Sequence, residues 1–373
     1  MIDSLEGGGA ERILSHLLRD LNRDLFEIDL FLIIREGIYL ASVPNDIPVR
    51  SIFRSTKNFH SKYVAYLYRF YRRGMLEMFK LFPPILSAMS RISGQYDLGI
   101  SFCEGHNTPL LALKSARFAQ TVAWLHVDLR THKAMIRPGD LRKYARNFDR
   151  LFFVSEGAKE GFLELFPEYK ANHNLEVVPN PIDSQMILSE AAQDIGIVKN
   201  KTTVLAIGRL TIQKRFDKLL NVHKRLIDKG IDHEVWILGE GLDRRKLEDQ
   251  ARSLGIESSC RFLGFRNPYA YLQAADVFVM TSDYEGLPVV VCEAMILGKP
   301  IVSTAVTGPK ELLEGGKYGR LVANNEEAIE AGLQELLENQ EIREALSQQL
   351  IHNRGRFIFP TDVNDIEKRL MAL

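Results

Sequence analysis

The chain has 373 residues, of which 46% are hydrophobic and 26% are charged, and its 48 basic residues balance 48 acidic ones. This composition is typical of a globular protein with room for two domains of about 150–200 residues each, and zero net charge excludes a global bias towards nucleic acid or membrane. No apolar run reaches the roughly 18–20 residues that span a bilayer, and the first residues lack a signal-peptide pattern. Three scattered cysteines without a CxxC pair argue against a disulfide framework or a zinc site and are typical of the reducing cytoplasm: Cys103, Cys260 and Cys292.

Short apolar runs rich in β-branched residues alternate with amphipathic helical stretches along most of the chain. In the first half the predicted strands are Phe26–Ile34, Val49–Phe53, Tyr96–Phe102, Thr121–His126 and Leu151–Ser155. In the second half they are Thr203–Leu210, Glu234–Gly239, Cys260–Gly264, Val277–Thr281, Pro300–Thr304 and Gly319–Val322. Such strands, separated by helices, indicate parallel sheets that are covered on both faces. Two such series predict an α/β protein with two doubly wound domains.

Prolines mark the predicted domain boundaries. Pro179 and Pro181 flank Asn180 and precede a polar stretch, so the first boundary is placed after Asp183. The predicted domains are residues 1–183 and 184–359. The last segment, residues 360–373, begins at a proline and is predicted to form a separate helix.

The beginning of the chain is unusual for a doubly wound sheet. The Gly-rich loop Gly7–Gly9 opens a predicted helix, and such a loop normally follows a strand of about 5–6 residues. Here that first strand is nearly absent. We therefore expect that the natural start lies several codons upstream or that the sequence is a fragment. An in-frame stop codon directly upstream would contradict this expectation.

The loop after the strand Thr203–Leu210 carries the first candidate for chemistry. Gly208 allows close backbone approach, and Arg209 and Lys214 can converge on one anionic group. A planar guanidinium and a compact ammonium together suit a diphosphate. A solvated basic loop, which is common at strand ends, is the alternative interpretation.

Two glutamates, Glu285 and Glu293, lie near the start of a predicted helix in the second half. Gly286 and Pro288 mark its predicted first turn, whose free N–H groups and dipole favour an anion. Two helical turns, about 10–12 Å, separate the glutamates. This distance is suitable if one carboxylate binds a sugar and the other binds a ribose. Glu285 as a simple dipole partner is the alternative, whereas Glu293 has apolar neighbours and needs a partner if it is buried.

A series of elements in this order and spacing resembles family 4 of the retaining glycosyltransferases. The elements are Gly208–Leu210 with Lys214, Gly239–Gly241, Phe262–Gly264, Ala275–Val279, the pair Glu285 and Glu293, Gly298–Val302, and Gly308–Glu311. They cover residues 203–323, and the start Gly7–Arg12 is a common opening in the same family. The resemblance implies a GT-B fold, in which two doubly wound Rossmann-like domains face each other across a cleft. It also implies that the C-terminal helix after Pro360 crosses back to the N-terminal, acceptor-binding domain.

The same resemblance implies roles for individual residues. Arg209 and Lys214 match the positions that neutralise the donor diphosphate, and Glu285 matches the position that holds the hydroxyls of the transferred sugar. Glu293 matches the ribose-binding position, and Gly286 and Leu287 present backbone amides to the diphosphate and sugar. The other donor-binding candidates are Gly8, Gly9, Gly208, Gly239, Gly241, Phe262 and Leu263.

Two histidines follow predicted strands of the first half. The resemblance implies that His126, at the end of the strand Thr121–His126, points into the cleft beside the reacting sugar and belongs to the catalytic group. A packed core histidine is the alternative for this residue. His106 also follows a strand and is an acceptor-side candidate.

The resemblance favours front-face attack, in which the leaving phosphate takes the proton of the acceptor hydroxyl. We see no carboxylate in a clearly nucleophilic place, so the enzyme would supply position and charge. No metal site and no cofactor are expected, because the cations and the helix N-terminus stabilise the leaving group. A nicotinamide enzyme is disfavoured, since the loops at Gly7 and Gly239 lack the third glycine of a dinucleotide-binding fold.

The segment from Arg50 to Arg91 is strongly basic, with nine Lys or Arg residues and the single acid Glu77. Aromatic residues are interleaved, and Ser61–Leu81 has helical character. A basic, aromatic helix on a neutral protein indicates an interfacial surface for anionic lipid. Nucleic acid is disfavoured as a partner because no nucleic-acid-binding motif accompanies the charge. A solvated basic face whose aromatics are core residues is the alternative.

The resulting hypothesis is a retaining transferase that moves a hexose or N-acetylhexosamine from a UDP- or GDP-sugar to a lipid-linked glycan. We expect it in the cytoplasm, peripheral to the inner face of the membrane, in capsule, exopolysaccharide or lipopolysaccharide assembly. The alternatives are a GT-B nucleotide-sugar 2-epimerase and a protein that binds sugar nucleotide or glycan without turnover.

Overall fold

The computed structural model describes residues 1–57, 59–130, 138–171, 174–194, 196, 199–357 and 362–373, and of residues 138–141 it describes the backbone only. Within these residues the chain divides into two compact units, Met1–Asn180 with Val363–Leu373 and Pro181–Asp362. The division thus follows Asn180, close to the predicted boundary at Asp183. The predicted boundary between residues 359 and 360 lies outside the described residues, as does Pro360 itself.

Strands and helices alternate along both units. The strands are β1 Leu30–Ile34, β2 Val49–Phe53, β3 Tyr96–Phe102, β4 Phe118–Leu125, β5 Arg150–Phe153, β6 Leu175–Val177, β7 Thr202–Ile207, β8 His233–Leu238, β9 Cys260–Gly264, β10 Val277–Met280, β11 Ile301–Thr304 and β12 Arg320–Val322. The helices are α1 Gly9–Asp20, α2 Lys62–Leu81, α3 Pro83–Met89, α4 Asn107–Leu113, α5 Pro138–Ala145, α6 Glu156–Leu165, α7 Ser184–Ala191, α8 Phe216–Asp228, α9 Arg244–Ser253, α10 Tyr269–Ala274, α11 Val289–Ile296, α12 Thr307–Leu312, α13 Glu326–Glu338, α14 Gln340–His352, α15 Arg354–Phe357 and α16 Val363–Met371. None of these helices is long and apolar enough to cross a bilayer.

The first unit is built on parallel strands in the order β2-β1 and β3-β4-β5-β6. The first residues of the chain lie between the two groups, where Ile2 forms a parallel bridge to Leu32. On the other side the backbone N–H of Phe102 donates to the carbonyl of Met1 at 2.8 Å. Residues 1–3 therefore occupy the position that a central first strand takes in a doubly wound sheet.

The last helix, α16, belongs to the first unit. Its Glu367 accepts a hydrogen bond from the backbone N–H of Asn22 at 2.6 Å, and Arg369 forms an ion pair with Glu176. Ile366 is its buried apolar residue. These contacts fasten the C-terminal segment to the unit that contains residues 1–180.

The second unit has one parallel sheet of six strands in the order β12-β11-β10-β7-β8-β9. This is the doubly wound strand order, with β7 at the centre and the sequence reversing on either side of it. All six residues of β8 are buried, as expected for a strand covered by helices on both faces. The apolar core contains Val204, Ile237 and Val279 from the sheet and Leu219 and Leu333 from helices.

The predicted α/β class with parallel sheets is confirmed in both units. Strands β2, β3 and β9 have the predicted bounds, whereas β1 begins four residues later than predicted, at Leu30. The short β6 was not predicted. In addition, α11 begins at Val289 after its N-cap Pro288, so Gly286 and Pro288 precede this helix instead of forming its first turn, and Glu285 also lies before it.

Candidate active site

Lys214 and Glu285 form an ion pair in the second unit. Their Nζ and Oε1 atoms are 2.5 Å apart, although the residues are 71 positions apart in the sequence. Lys214 ends a 3₁₀ turn between β7 and α8, and Glu285 lies between β10 and α11. Because β7 and β10 are paired parallel strands, the loops that follow them meet at the same edge of the sheet.

This ion pair is largely buried and has spare hydrogen-bonding capacity. The side chains of Lys214 and Glu285 are only 17% and 11% exposed. An ammonium group has three donors, and a carboxylate has several acceptor sites. The lysine therefore has donors left for an anion and the glutamate has acceptor sites left for hydroxyl groups; the roles expected from the sequence stay predictions.

Hydrogen bonds between the two loops hold the pair in place. The side-chain amide of Gln213 donates to the carbonyl of Tyr284 at 2.8 Å, and the N–H of Asp283 donates to the carbonyl of Gln213 at 2.9 Å. The Thr281 hydroxyl donates to the carbonyl of Lys214 at 2.8 Å. Both charged residues are thus carried by loops that are joined through their backbones.

Arg215 helps to hold the loop that leads to Glu285, and no role is predicted for it from the sequence. Its backbone is left-handed, with φ of 50°, which is uncommon for a non-glycine residue. Its guanidinium pairs with Asp217 at 3.0 Å and with Asp283 at 3.1 Å, and hydrogen bonding to these carboxylates raises its pKa. Lys218 also reaches Asp283, at 3.2 Å. These cations are occupied in holding the loop that leads to Glu285.

Gly208, Gly239 and Gly241 allow two loops to pack backbone against backbone. A Cβ on Gly239, whose φ is +145°, would lie 2.0 Å from the carbonyl oxygen of Gly208, and one on Gly241 would lie 2.3 Å from that of Leu210. The N–H of Leu210 also donates to the carbonyl of Glu240 at 2.9 Å. The glycines therefore set the path of the loop that carries Arg209.

The other candidates of this unit differ in exposure. Arg209, Phe262 and Leu263 are half-buried at the carboxyl ends of β7 and β9. Gly286 and Leu287 are buried, and a Cβ on the neighbouring Gly308 would lie 2.5 Å from the carbonyl oxygen of Gly286. Glu293 is 1% exposed, so it lies inside the unit.

His126 lies directly after β4 in the first unit. Its Nδ1 is 3.2 Å from the carbonyl oxygen of Trp124, and its Nε2 is 3.1 Å from the side-chain Oδ1 of Asn180. Burial lowers the pKa of this imidazole to about 4, so the ring is neutral at physiological pH. The ring packs on Phe102, with centroids 4.7 Å apart.

Glu104 is a buried carboxyl group beside His126 that the sequence analysis missed. Its Oε1 accepts the backbone N–H of His126 at 2.5 Å and of Val127 at 3.0 Å. Burial raises its pKa to about 7, against the effect of these hydrogen bonds. An acidic residue two positions after the end of an apolar strand was the available signal.

His106 connects α2 to the rest of the first unit. Its Nδ1 is 2.8 Å from a carboxylate oxygen of Asp3, and its Nε2 is 3.2 Å from the carbonyl oxygen of Leu76 in α2. Both neighbours only accept hydrogen bonds, so the imidazolium form, in which both ring nitrogens donate, suits this position best. Burial by itself lowers the pKa of His106, but the hydrogen bond and charge of Asp3 outweigh it and raise the pKa.

Gly8 and Gly9 lie at the start of α1. Gly8 is the N-cap residue and makes no side-chain capping bond, and Gly9 is the first helical residue. The first-turn N–H groups of such a helix favour an anion. This position is compatible with the phosphate-binding role expected from the sequence.

The outward face of α2 is apolar and aromatic. Exposed large side chains follow one another at helical spacing and continue just past the helix: Tyr63 at 70%, Tyr66 at 64%, Phe70 at 73%, Leu81 at 56% and Phe82 at 60%. A row of exposed basic residues lies along one side of that face: Lys62, Arg69, Arg73 and Lys80. The buried side instead contains Ala65 and Phe79. The aromatic residues of this helix are therefore mainly surface residues, contrary to the alternative that they form a core.

Comparisons with known proteins show what the second unit resembles. Residues 189–352 match the family model described as Glycosyl transferases group 1. An uncharacterized glycosyltransferase of Haemophilus influenzae is 32% identical over 228 residues, which are 59% of this chain and 61% of that protein. The N-acetylgalactosamine-N,N'-diacetylbacillosaminyl-diphospho-undecaprenol 4-alpha-N-acetylgalactosaminyltransferase of Campylobacter jejuni is 32% identical over 173 residues, which are 46% of each chain. This chain thus spans about half to three fifths of these relatives.

The fold of the whole chain also has known counterparts. The crystal structure of Anabaena HepE in complex with UDP-glucose has a TM-score of 0.72 to this chain and 20% sequence identity, and covers 100% of this chain and 98% of HepE. Residues 189–352 are thus similar to the group 1 glycosyltransferase family, in a chain whose α/β fold with two Rossmann-like domains is that of solved GT-B glycosyltransferases.

Proposed function

We propose that this chain is a retaining glycosyltransferase that moves a hexose or N-acetylhexosamine from a UDP- or GDP-sugar to a lipid-linked glycan. The observation that carries this proposal is the buried ion pair of Lys214 and Glu285 at the carboxyl ends of β7 and β10. It supplies a cation for a diphosphate and a carboxylate for sugar hydroxyls in the part of the chain that matches the glycosyltransferase family.

In this proposal the donor is bound without a metal ion. Lys214 and Arg209 neutralise the diphosphate, and the amides of Gly286 and Leu287 donate to it. Such preorganised donors stabilise the charge that develops on the leaving group. The complex of the similar HepE with UDP-glucose makes UDP the first nucleotide to test.

The proposed chemistry is a front-face substitution. The acceptor hydroxyl oxygen forms a bond to the anomeric carbon on the face from which the bond to the phosphate oxygen breaks. The hydroxyl proton passes to the leaving phosphate oxygen, and the nucleoside diphosphate departs. The enzyme contributes position and charge, so no side chain has to act as a nucleophile.

A lipid-linked acceptor is supported by two observations. The similar enzyme of Campylobacter jejuni is named for an acceptor on diphospho-undecaprenol. In addition, the exposed aromatic face of α2 with its basic row fits the interface of an anionic membrane. We propose that this helix holds the enzyme at the inner face of the membrane during cell-surface polysaccharide synthesis.

The proposal is tested by separating nucleotide binding from transfer in two variants. Lys214→Ala should weaken UDP binding by about tenfold or more, because it removes a charge-assisted hydrogen bond worth about 1.5–3 kcal/mol. Glu285→Ala should leave UDP binding nearly unchanged but lower transfer from UDP-sugars to membrane extract by about 100-fold. Calorimetry with UDP and a radiolabelled-sugar assay measure the two effects.

The matched control is the exposed ion pair of Lys317 and Glu314 in the same unit, whose side chains are 47% and 42% exposed. Lys317→Ala and Glu314→Ala should change neither binding nor transfer. Equal loss of UDP binding in Lys214→Ala and Glu285→Ala would contradict the assigned roles. Tight nucleotide binding without turnover of any donor would favour a binding protein over an enzyme.

A further inference from the structure

Arg215 has a left-handed backbone directly after Lys214. Its φ and ψ are 50° and 41°, and Cys103 and Glu314 are the other residues besides glycine with a positive φ in the described part of the chain. A side chain raises the energy of this conformation, which glycine adopts without strain. The backbone alone therefore favours glycine here, and the arginine must serve through its side chain.

The guanidinium of Arg215 binds two carboxylates at once. Nε and one terminal nitrogen donate to the two oxygens of Asp217, both at 3.0 Å, and the other terminal nitrogen donates to Asp283 at 3.1 Å. Asp217 lies in the first turn of α8, whereas Asp283 lies on the loop after β10, two residues before Glu285. The side chain thus connects the loop that carries Lys214 with the loop that carries Glu285.

Asp283 receives hydrogen bonds from two further elements. Lys218 of α8 donates to its Oδ1 at 3.2 Å, and the side-chain amide of Asn324, which follows β12, donates to the same oxygen at 3.0 Å. Its charge is therefore matched by the cations of Arg215 and Lys218. This reduces the attraction of Asp283 for the ammonium group of Lys214, which pairs with Glu285 instead.

The path of the Lys214 side chain depends on the turn at Arg215. A Cβ at Gly208 would lie 3.2 Å from Cε of Lys214, so the lysine stem lies along this glycine. The Thr281 hydroxyl lies 2.8 Å from the carbonyl oxygen of Lys214 and 3.2 Å from that of Arg215. A change in the turn would therefore redirect the lysine.

Stability alone does not explain the ion pair of Arg215 with Asp283. The two side chains are 27% and 34% exposed. Ion pairs of such exposure contribute little to the free energy of unfolding. What this pair supplies is a fixed separation between two loops, each of which carries one residue of the proposed donor site.

We propose that Arg215 and Asp283 are positioning residues, whose ion pair fixes the separation of Lys214 and Glu285 so that one donor molecule contacts both. This inference rests on the proposed function, because it assigns the diphosphate and the sugar of the donor to these two side chains. Neither positioning residue has to touch the donor. A lysine on a loosened loop can still bind a diphosphate, but the sugar is then held in many positions, which lowers the rate of transfer.

The first test compares hydrogen exchange of the wild type without ligand with that of Arg215→Gly and Asp283→Asn. Glycine retains the left-handed turn without the guanidinium, and asparagine retains the shape of the aspartate without its charge. In both variants, peptides that contain residues 211–216 and 282–288 should exchange about threefold faster or more. The melting temperature should stay within about 2 °C of the wild type.

Glu314→Gly is the matched control in the same unit. Glu314 also has a left-handed backbone, with φ of 44°, and its carboxylate pairs with Lys317 at 2.9 Å. It lies in the turn between α12 and β12, away from both loops in the sequence. This variant should change neither the exchange of the two loops nor transfer.

Kinetics supply the second measurement. In Arg215→Gly and Asp283→Asn kcat should fall about tenfold with little change in the KM for the donor. The double variant should lose no more than the weaker single variant, because the two residues act as one pair.

Three results would overturn the proposal: unchanged exchange of both loops in both variants, kcat of wild-type size in both, or faster exchange throughout the second unit with a lower melting temperature. The last of these would assign the pair to general stability. The expected exchange result in a protein that transfers no sugar would uphold the positioning and reject the proposed function.

Discussion

At the scale of single residues, two buried histidines form a chain of hydrogen bonds at the edge of the second unit away from the Lys214–Glu285 pair. His233 Nδ1 faces the carbonyl of Ile231 at 2.9 Å, and its Nε2 faces Nδ1 of His223 at 2.8 Å. His223 Nε2 then lies 2.9 Å from the hydroxyl of Ser259. Burial, followed by the charge of His233, lowers the pKa of His223 to about 3, and burial lowers the pKa of His233. Both rings are thus neutral in the folded protein near pH 7.

We predict that His223 and His233 lower the free energy of unfolding of the protein in mild acid. The unfolded histidine binds a proton near pH 6.5, whereas folded His223 binds one only near pH 3, so the free energy of unfolding falls as the pH decreases between these values. One such group contributes up to about 1.4 kcal/mol per pH unit. In His223→Gln the urea midpoint should depend less on pH between 7 and 5, and the exposed His352→Gln serves as control. An unchanged pH dependence in His223→Gln would show that the pair does not govern acid stability.

At the scale of secondary-structure elements, α2 combines polar attachment on one side with an exposed apolar surface on the other. It is attached by the His106 contact to Leu76 and by the ion pair of Arg72 with Glu36 at 2.7 Å. Tyr63, Tyr66 and Phe70 point away from these contacts at spacings of three and four residues, as one helix face requires. Because these polar contacts attach the helix, its exposed aromatic residues remain available for a partner. We propose that this partner is the membrane.

We predict that α2 binds vesicles that contain phosphatidylglycerol more tightly than vesicles of phosphatidylcholine alone. Arg69→Gln with Arg73→Gln should weaken binding to the anionic vesicles by about 30-fold, since each basic residue near the surface contributes about 1 kcal/mol. Tyr66→Ser with Phe70→Ser should weaken binding to both kinds of vesicle. Sedimentation with vesicles measures both effects.

The control for this prediction is Arg245→Gln with Lys246→Gln, which removes two exposed charges from α9 in the second unit. It should bind vesicles as the wild type does. Equal weakening by this control would mean that the charge of the whole protein, and not α2, drives binding. If the wild type shows no preference for anionic vesicles, the hypothesis that α2 binds an anionic membrane is wrong.

Local sequence signals predicted most elements but only part of the candidate site. Strand β3 has the predicted bounds because its apolar run ends at Phe102 before the turn Cys103–Gly105. Strand β6 was missed because three residues next to a proline segment become a strand only through pairing with β5. The contact between Lys214 and Glu285 joins loops 71 residues apart, which periodicity cannot reveal and strand order can. Glu104 was missed because its role depends on backbone N–H groups, which a sequence pattern does not show.

At the scale of the whole molecule, each unit contains one tryptophan, and this makes the proposed donor site testable without knowing the sugar. Trp124 is buried in the first unit and Trp236 in the second, and the chain has two tryptophans in all. In Trp124→Phe, fluorescence therefore follows the unfolding of the second unit. In Trp236→Phe it follows the first.

We predict that UDP raises the melting temperature of Trp124→Phe, because a ligand at about 100 times its Kd adds about 2.7 kcal/mol to the stability of the unit that binds it. For a domain of this size the shift is about 5–10 °C. The additional substitution Lys214→Ala should reduce this rise in melting temperature. Comparison of UDP with GDP and ADP identifies the base that the protein prefers. If the melting temperature still rises with UDP in the Lys214→Ala protein, the diphosphate does not bind at the loop after β7. If UDP raises the melting temperature only in Trp236→Phe, which reports on the first unit, the diphosphate binds in that unit. The N-terminus of α1 would then be the anion-binding element, and the donor site proposed here would be wrong.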